Sequence, residues 1–148
     1  MTQKSKTALY AGSFNPFTVG HRDIAIRALQ LCDRLIIAIG VNPDKCNCNV
    51  EKNLEAIRNA MKEYPQVEVT TYSGLTVDFA RNNNVDFLVR GVRAVADFEA
   101  ERNLADINRE IANIDTILLP ARPELAFVSS SMVRELEANG FDADKYKA

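Results

Sequence analysis

The 148-residue sequence has no tryptophan, only three cysteines and a single histidine, and it carries no excess of positive charge. Its formal net charge of −2 argues against a general nucleic-acid-binding protein, which usually has a basic surface. No apolar run is long enough to cross a bilayer, and no apolar core follows the polar residues 1–6. We therefore expect a cytoplasmic protein with neither a nucleic-acid nor a membrane partner.

The few cysteines exclude two further classes of protein. An odd number of cysteines without a signal peptide does not favour a disulfide framework. Cys46 and Cys48 are one residue apart and suggest a metal site, but zinc usually needs four ligands, often in two pairs. Because the sequence has no second pair and its histidine is distant, we predict no metal site made of protein side chains.

Short apolar runs alternate with helical patterns along the chain. Strands are predicted at Thr7–Ala11, Arg34–Val41, Val67–Tyr72, Val85–Val89 and Thr116–Leu119. Helices are predicted at about Gly20–Cys32, Val50–Glu63, Leu75–Asn82, Val95–Ile111 and Ser130–Asn139. This order of elements indicates an α/β fold, a Rossmann-like doubly wound sheet of five parallel strands, in one domain over residues 1–148. Residues 141–148 show no clear pattern and are expected to form a flexible tail.

Every predicted strand leads into polar, basic or small residues. Ligands of doubly wound sheets bind beyond the carboxyl ends of the strands, so these endings predict where a site would form. The segments that follow the five strands are Gly12–His21, Asn42–Lys45, Ser73–Thr76, Arg90–Arg93 and Ser129–Ser131. They predict a single crevice with a cationic wall of His21, Lys45, Arg90 and Arg93, and a hydroxyl-rich wall of Ser13, Thr76 and the three serines.

The segment Gly12–His21 joins a tight Gly/Asn/Pro turn to a histidine at the start of a helix. Such a turn can place backbone N–H groups, a helix N-terminus and an imidazole around one phosphate. His21 would then donate a hydrogen bond as charge builds on the phosphate oxygens. The alternative is a histidine that begins a helix without a catalytic task. The glycine-rich turn before it and the arginines opposite favour the catalytic interpretation.

Arg90 and Arg93 directly follow an apolar strand, and guanidinium groups match pairs of phosphate oxygens. The alternative is two surface arginines in a loop. The carboxylates of Asp97–Glu101 follow in the next helix, where such residues usually form a solvated face, although one could orient an arginine or a ribose. Of the three serines Ser129–Ser131, one is expected to cap the next helix, and the others are candidates to contact a base or phosphates.

Thr18-Val19-Gly20-His21 has the form of the (H/T)xGH motif, and the chain resembles the nucleotidyltransferase superfamily that carries it. Within that superfamily, the block from Arg90 to Glu101 resembles bacterial phosphopantetheine adenylyltransferases. The Ser129–Ser131 stretch followed by Met-Val-Arg-Glu is similar to the same family. The resemblance covers about residues 7–137, and the arginine block is its specific part.

This resemblance implies transfer of an adenylyl group from ATP to 4′-phosphopantetheine, a step of coenzyme A biosynthesis that yields dephospho-coenzyme A and pyrophosphate. The substrate phosphate would attack in line without a covalent enzyme intermediate, and His21 would stabilise the transition state. The residues implied in ATP binding are Ser13, Phe14, His21, Gly91, Val92, Arg93, Glu101, Ser129, Ser130 and Ser131. Those implied in phosphopantetheine binding are Ser13, Lys45, Thr76 and Arg90.

The family further implies a homohexamer and a requirement for Mg²⁺. No carboxylate pair stands out as a metal site, so the ion is expected to be bound with the ATP phosphates. The sequence departs from the family pattern at Asn15, usually an aspartate, at Ala100, usually an aromatic residue, and at Thr76, usually more apolar. The segment 46–50 also differs from the usual loop.

Three other functions are considered. The Gly-Ser-Phe-Asn-Pro segment also resembles nicotinate-nucleotide adenylyltransferases, which share the fold and reaction type, but the block from Arg90 to Glu101 argues against them. A nucleotide-binding module without catalysis belongs to a different class and would not need His21. A flavodoxin-like carrier is not supported, because the chain has no tryptophan and no evident flavin-stacking loop.

Overall fold

A computed structural model describes residues 4–44 and 49–148. The predicted site residue Lys45 and the cysteines Cys46 and Cys48 lie outside the described residues. Within those residues the strands are β1 (Thr7–Gly12), β2 (Arg34–Gly40), β3 (Val67–Tyr72), β4 (Phe87–Val92) and β5 (Asp115–Pro120). The helices are α1 (Val19–Ala28), α2 (Val50–Ala60), α3 (Thr76–Asn82), α4 (Val95–Ala112) and α5 (Ser130–Ala138).

The strands form one parallel sheet in the order β3-β2-β1-β4-β5. Side chains of β1 and β2 alternate between two apolar layers, as expected for a sheet covered on both faces. One layer packs against α1 and α2 through residues such as Ile24 and Ile57, and the other packs against α3 and α4 through residues such as Val77 and Ala112. The predicted α/β fold class is confirmed.

The order of the strands changes direction at β1: β2 and β3 lie on one side of it, and β4 and β5 lie on the other. β1 pairs with β2 along its whole length, but it pairs with β4 only at Ala8↔Phe87 and Leu9↔Leu88. Beyond Leu9 the two strands separate towards their carboxyl ends. This separation opens the crevice that such a switch point provides for ligands.

Several predicted boundaries differ from the structure. The strand expected to end at Val89 continues to Val92, because β5 pairs with it in register as far as Val92↔Pro120. Arg90 and Gly91 therefore lie within β4 and not after it. The first two helices end at Ala28 and Ala60, a few residues earlier than predicted, and single turns follow them.

Residues 141–148, predicted to be a flexible tail, are ordered against the rest of the chain. Ala143 is buried, and Asp144–Tyr146 form a short 3-10 turn. Lys147 pairs with Thr18 in an isolated antiparallel bridge, and the Ala148 N–H donates to the Phe17 carbonyl at 3.1 Å. Tertiary contacts, which local sequence patterns do not reveal, hold this segment in place.

Helices that combine the length and the apolar character needed to cross a membrane do not occur among residues 4–44 and 49–148.

Gly91 is required where β4 passes over α1. A Cβ at this position would lie 3.0 Å from Cγ1 of the buried Ile24. We expect Gly91→Ala to lower the free energy of unfolding by about 1–3 kcal/mol, because the packed helix must shift to accommodate the methyl group. Urea denaturation measures the loss. Gly20→Ala is the matched control: its Cβ would make only ordinary contacts, and alanine favours a helix, so stability should not fall. An unchanged midpoint for Gly91→Ala would contradict the packing argument.

Candidate active site

A cleft of about 410 Å³ opens where β1 and β4 separate. Most of the residues predicted to bind ATP line this first cleft: Ser13, Phe14, His21, Gly91, Arg93, Glu101, Ser129, Ser130 and Ser131. Arg90 lines it as well, whereas Val92 does not. The structure therefore brings together residues that follow three of the five predicted strands, and it adds Glu101 of α4 to them.

Thr76 does not join that cleft. It lines a second, more apolar cleft of about 270 Å³ between α3, α4 and β4, and its hydroxyl is 2.8 Å from that of Tyr72. Gly12, Arg90 and Glu101 line both clefts. The single crevice predicted from the sequence is thus two adjoining clefts, because the paired side chains of Arg90 and Glu101 stand between them.

His21 begins α1 as part of a reciprocal cap with Thr18. The His21 backbone N–H donates to the Thr18 hydroxyl at 3.2 Å, and the Thr18 backbone N–H donates to His21 Nδ1 at 2.9 Å. A backbone N–H can only donate, so Nδ1 accepts and carries no proton. In the neutral imidazole the proton must then be on Nε2, which leaves an N–H donor available to a ligand.

The imidazole of His21 is held in its neutral form. Burial, followed by the positive charges of Arg90 and Arg93, lowers the pKa of His21 from 6.5 to about 4. At pH 7 the neutral imidazole can therefore donate a hydrogen bond through Nε2 without transferring its proton. The helix N-terminus adds a partial positive charge of its own at this end of α1.

Aromatic rings surround the imidazole on its protein side. The Phe17 ring stacks on it at a centroid distance of 5.6 Å and an interplanar angle of 17°, and Phe14 meets it edge-on at 5.1 Å. Phe14 is buried and has a left-handed backbone conformation (φ 45°) that non-glycine residues rarely adopt. Its ring lies beneath Gly12, where a Cβ would be 3.1 Å away, so its backbone and not its ring is available to a ligand.

Arg90 and Glu101 form a bidentate ion pair across the cleft, with N–O distances of 2.9 and 2.7 Å. Arg90 also donates to the Ala11 carbonyl at the end of β1. Burial opposes the charge of Arg90, but the bond to Glu101 and its negative charge outweigh this effect and raise the pKa of Arg90. The predicted alternative that a helix carboxylate orients an arginine thus describes Glu101, and Asp97 likewise pairs with Arg93 at 3.2 Å.

The serines at the start of α5 differ in what they do. Ser129 is the N-cap and accepts from the Met132 N–H at 3.1 Å, whereas the Ser130 hydroxyl donates to the Pro16 carbonyl at 2.7 Å. Arg134 donates to the Asn15 carbonyl, so α5 is attached to the turn before His21. The Asn15 side chain, which departs from the family pattern, accepts from the buried Asn53 of α2 at 3.2 Å.

Sequence reasoning did not identify Thr18 and Tyr10 as parts of this site. Thr18 is buried, and its position three residues before His21 has the spacing of a capping box, so this signal was present in the sequence. Tyr10 lines the cleft, and burial raises the pKa of its phenol, which is therefore neutral at pH 7. An apolar strand gives no signal that one of its tyrosines faces a cleft.

Possible metal ligands are not clustered in the part of the chain that the structure describes. No three His, Cys, Asp or Glu side chains come together there, and the two carboxylates of the first cleft are engaged by arginines. The described residues therefore do not fit a metal ion held by the protein alone. Cys46 and Cys48, whose spacing does not predict a zinc site, lie outside the described residues.

The pKa of His21 can be measured without ambiguity because the chain has one histidine. We expect ¹⁵N NMR of the unliganded protein to show the Nε2–H tautomer at pH 7 and a midpoint at about 4, since burial and two arginines disfavour the imidazolium. His21 should then reduce stability as the pH falls from about 6.5 towards 4, where only the unfolded state takes up the proton. An ordinary midpoint near 6.5 would contradict this environment.

The comparison with sequence families identifies the superfamily. Residues 9–136 match the model of the cytidylyltransferase-like family. A phosphopantetheine adenylyltransferase from Bacteroides thetaiotaomicron is 46% identical over 142 residues, which cover 95% of this chain and 94% of the relative. Another from Porphyromonas gingivalis is 47% identical over 144 residues, which cover 97% of this chain and 94% of the relative.

Solved structures with low sequence identity share the fold. A putative nicotinate-nucleotide adenylyltransferase from Vibrio parahaemolyticus has a TM-score of 0.65 at 18% identity, covering 98% of this chain and 94% of that one. A bifunctional NMN adenylyltransferase/ADP ribose pyrophosphatase from Francisella tularensis has a TM-score of 0.72 at 17% identity. The match covers 97% of this chain and 45% of that one. The fold is thus that of nucleotidyltransferases. The sequence relatives go further, and the chain belongs to the phosphopantetheine adenylyltransferase family.

Proposed function

We propose that the protein transfers the adenylyl group of ATP to 4′-phosphopantetheine, forming dephospho-coenzyme A and pyrophosphate in coenzyme A biosynthesis. The observation that carries the reaction type is the first cleft, where the Nε2–H of His21, the N-terminus of α1 and two arginines converge. The choice of acceptor is supported by relatives of 46–47% identity that bear the name of this enzyme.

In the proposed reaction, a phosphate oxygen of 4′-phosphopantetheine attacks the α-phosphorus of ATP in line. The new P–O bond forms as the bond to the departing pyrophosphate breaks, and no enzyme atom bonds covalently. His21 donates the Nε2 hydrogen bond to an α-phosphate oxygen, where charge rises in the transition state. The remaining residues hold the two reactants in position, which is the other large source of rate in such transfers.

The two clefts suggest how the two substrates are arranged. ATP would occupy the first cleft. Its phosphates would lie near Ser13, the Phe14 backbone, Gly91 and Arg93, and Ser129–Ser131 would contact the rest of the nucleotide. Val92 and Glu101 complete the proposed ATP set. The pantetheine arm would lie in the second cleft beside Thr76, with its phosphate near Arg90 and Ser13, because Arg90 lines both clefts. Lys45 is proposed for the same phosphate from the resemblance alone.

Magnesium is proposed as part of the substrate MgATP and not as a resident ion. The protein would bind the ion through the ATP phosphates, because the carboxylates of the described cleft are paired with arginines. Mg²⁺ commonly keeps several waters and binds nucleotide phosphates with few protein ligands.

A homo-oligomer, which the family resemblance sets at a hexamer, is proposed from α4. Val95 and Phe98 near the start of α4 are exposed and line neither cleft, so they form apolar surface that a second copy of the chain could cover. Light scattering would give the mass of the assembly. A monomeric mass at micromolar concentration would contradict the proposal.

The cytoplasm remains the proposed compartment, because ATP is the substrate and Cys32 is a free thiol.

The acceptor is tested by measuring pyrophosphate release from MgATP with 4′-phosphopantetheine or with nicotinate mononucleotide. We expect turnover only with 4′-phosphopantetheine. Turnover with the mononucleotide would favour the alternative enzyme suggested by Gly12–Pro16 and by the structural neighbours. Binding of ATP without turnover of either acceptor would favour a nucleotide-binding module.

The role of His21 is tested with two substitutions that separate chemistry from folding. His21→Gln retains a side-chain oxygen able to accept from the Thr18 N–H, the usual partner in a capping box, but it lacks the imidazole Nε2–H. His21→Ala loses both. We expect kcat to fall by about 10²–10³-fold in both variants, while ATP binding measured by calorimetry changes little. Unchanged turnover in His21→Gln would contradict the proposed role.

A further inference from the structure

Residues 143–148, here called the terminal strap, contact the protein beside His21. Ala148 donates its backbone N–H to the Phe17 carbonyl at 3.1 Å, and Lys147 pairs with Thr18 in an antiparallel bridge. Phe17 and Thr18 both contact the imidazole directly. The Phe17 ring stacks on it, and the Thr18 N–H donates to Nδ1 at 2.9 Å.

The strap is itself fixed to α5 and to the residues before it. Lys147 forms ion pairs with Glu137 of α5 and with Asp144, and the bond to Glu137 raises the pKa of its ammonium group. Tyr146 meets Phe127 edge-on at a centroid distance of 5.6 Å. Phe127 lies two residues before Ser129, the N-cap of α5 and a residue of the first cleft. The strap therefore joins the turn that carries His21 to the helix whose start lines the same cleft.

We propose that the terminal strap and Phe17 position the His21 imidazole for adenylyl transfer, by holding the backbone at Phe17 and Thr18 so that the ring is stacked and its Nδ1 is capped. This inference rests on the proposed function of His21. Phe17 and the strap are positioning residues, since neither lines the first cleft and both contact residues that do.

One backbone pairing, between the strap and the dipeptide Phe17-Thr18, controls two contacts with the ring. Thr18 and Phe17 are adjacent, and both side chains are buried, so a shift of this dipeptide moves the stacking surface and the Nδ1 donor together. A misplacement of about 1 Å in a reacting group can cost roughly 10²-fold in rate. Partial release of the strap should cost less, because Thr18 remains the N-cap of α1.

Two substitutions test the two sides of the contact between the strap and the turn that carries His21. Ala148→Pro removes the one backbone N–H that bonds to Phe17, and Lys147 already has the extended conformation (φ −83°, ψ 144°) that a residue before proline adopts. Ala148→Ser is its control because it keeps the N–H. Phe17→Leu removes the stacked ring but keeps an apolar side chain. Phe141→Leu, at an exposed phenylalanine outside the strap, is its control.

The readouts are kcat, the KM for ATP, and the ring-nitrogen NMR shifts of the single histidine in unliganded protein. We expect Ala148→Pro and Phe17→Leu to lower kcat roughly tenfold, with the KM for ATP within about twofold, since the loss is confined to the transition state. Their Nδ1 and Nε2 shifts should move towards each other as the tautomers mix, whereas both controls should match the parent protein. Circular dichroism confirms that the variants are folded.

Ring-nitrogen shifts that stay at the parent values in Ala148→Pro would overturn the proposal, whatever happens to kcat or to Phe17→Leu, because the imidazole would then not depend on the strap. Altered shifts with unchanged kcat would instead support the positioning of the ring and contradict the catalytic task of His21. The NMR measurement therefore separates a failure of this inference from a failure of the proposed function.

Discussion

β1 and β4 form a ladder for two residue pairs and then separate, and the site depends on that interruption. Beyond Leu9 the backbone groups of the two strands no longer pair with each other. The Arg90 guanidinium instead donates to the Ala11 carbonyl, which the ladder leaves free. A buried carbonyl without a donor would be costly, so a cation at this point stabilises the opened sheet. The same guanidinium is held by Glu101 of α4, which fixes the helix relative to the gap. The arginine proposed to bind an anionic ligand is thus also part of the fold.

The start of α1 combines folding and chemistry in a similar way. Thr18 and His21 satisfy two backbone donors that would otherwise be unpaired at a helix start, and one of these bonds determines which imidazole nitrogen carries the proton. Stability and tautomer therefore depend on the same atoms. An alanine at position 21 removes both functions at once, which is why a capping substitute is needed to distinguish them.

The sequence was sufficient to predict the strands and helices to within a few residues, because their apolar patterns are local and regular. It also predicted His21 in the first helical turn and a serine cap before α5, since capping residues have recognisable spacing. It placed Arg90 after β4, because polarity at a strand end does not reveal how far the neighbouring strand continues to pair. Thr76 was placed in one crevice with Ser13 and the three serines, because sequence order does not show that the Arg90–Glu101 pair divides the crevice.

Residues 141–148 show the limit of local reasoning most clearly. Their order comes from a backbone pair with Thr18, an aromatic contact with Phe127 and an ion pair with Glu137, all of which depend on the finished fold. The stacking of Phe17 on His21 is of the same kind, because position 17 could equally have faced the ligand. The family resemblance does not supply these contacts either, since its motifs end at about residue 137.

In the proposed reaction, the charged groups of the first cleft that bind the substrate differ from the neutral group that accelerates the reaction. In the proposed reaction Arg90 and Arg93, which carry permanent charges, would stabilise the bound phosphates and the transition state to similar extents and so favour affinity more than turnover. These arginines also keep His21 neutral, together with its burial. A neutral Nε2–H is a directional donor whose interaction strengthens as negative charge gathers on one oxygen. In the proposed reaction, the cations that would bind the substrate thus also leave the histidine in the state in which it would discriminate between ground state and transition state.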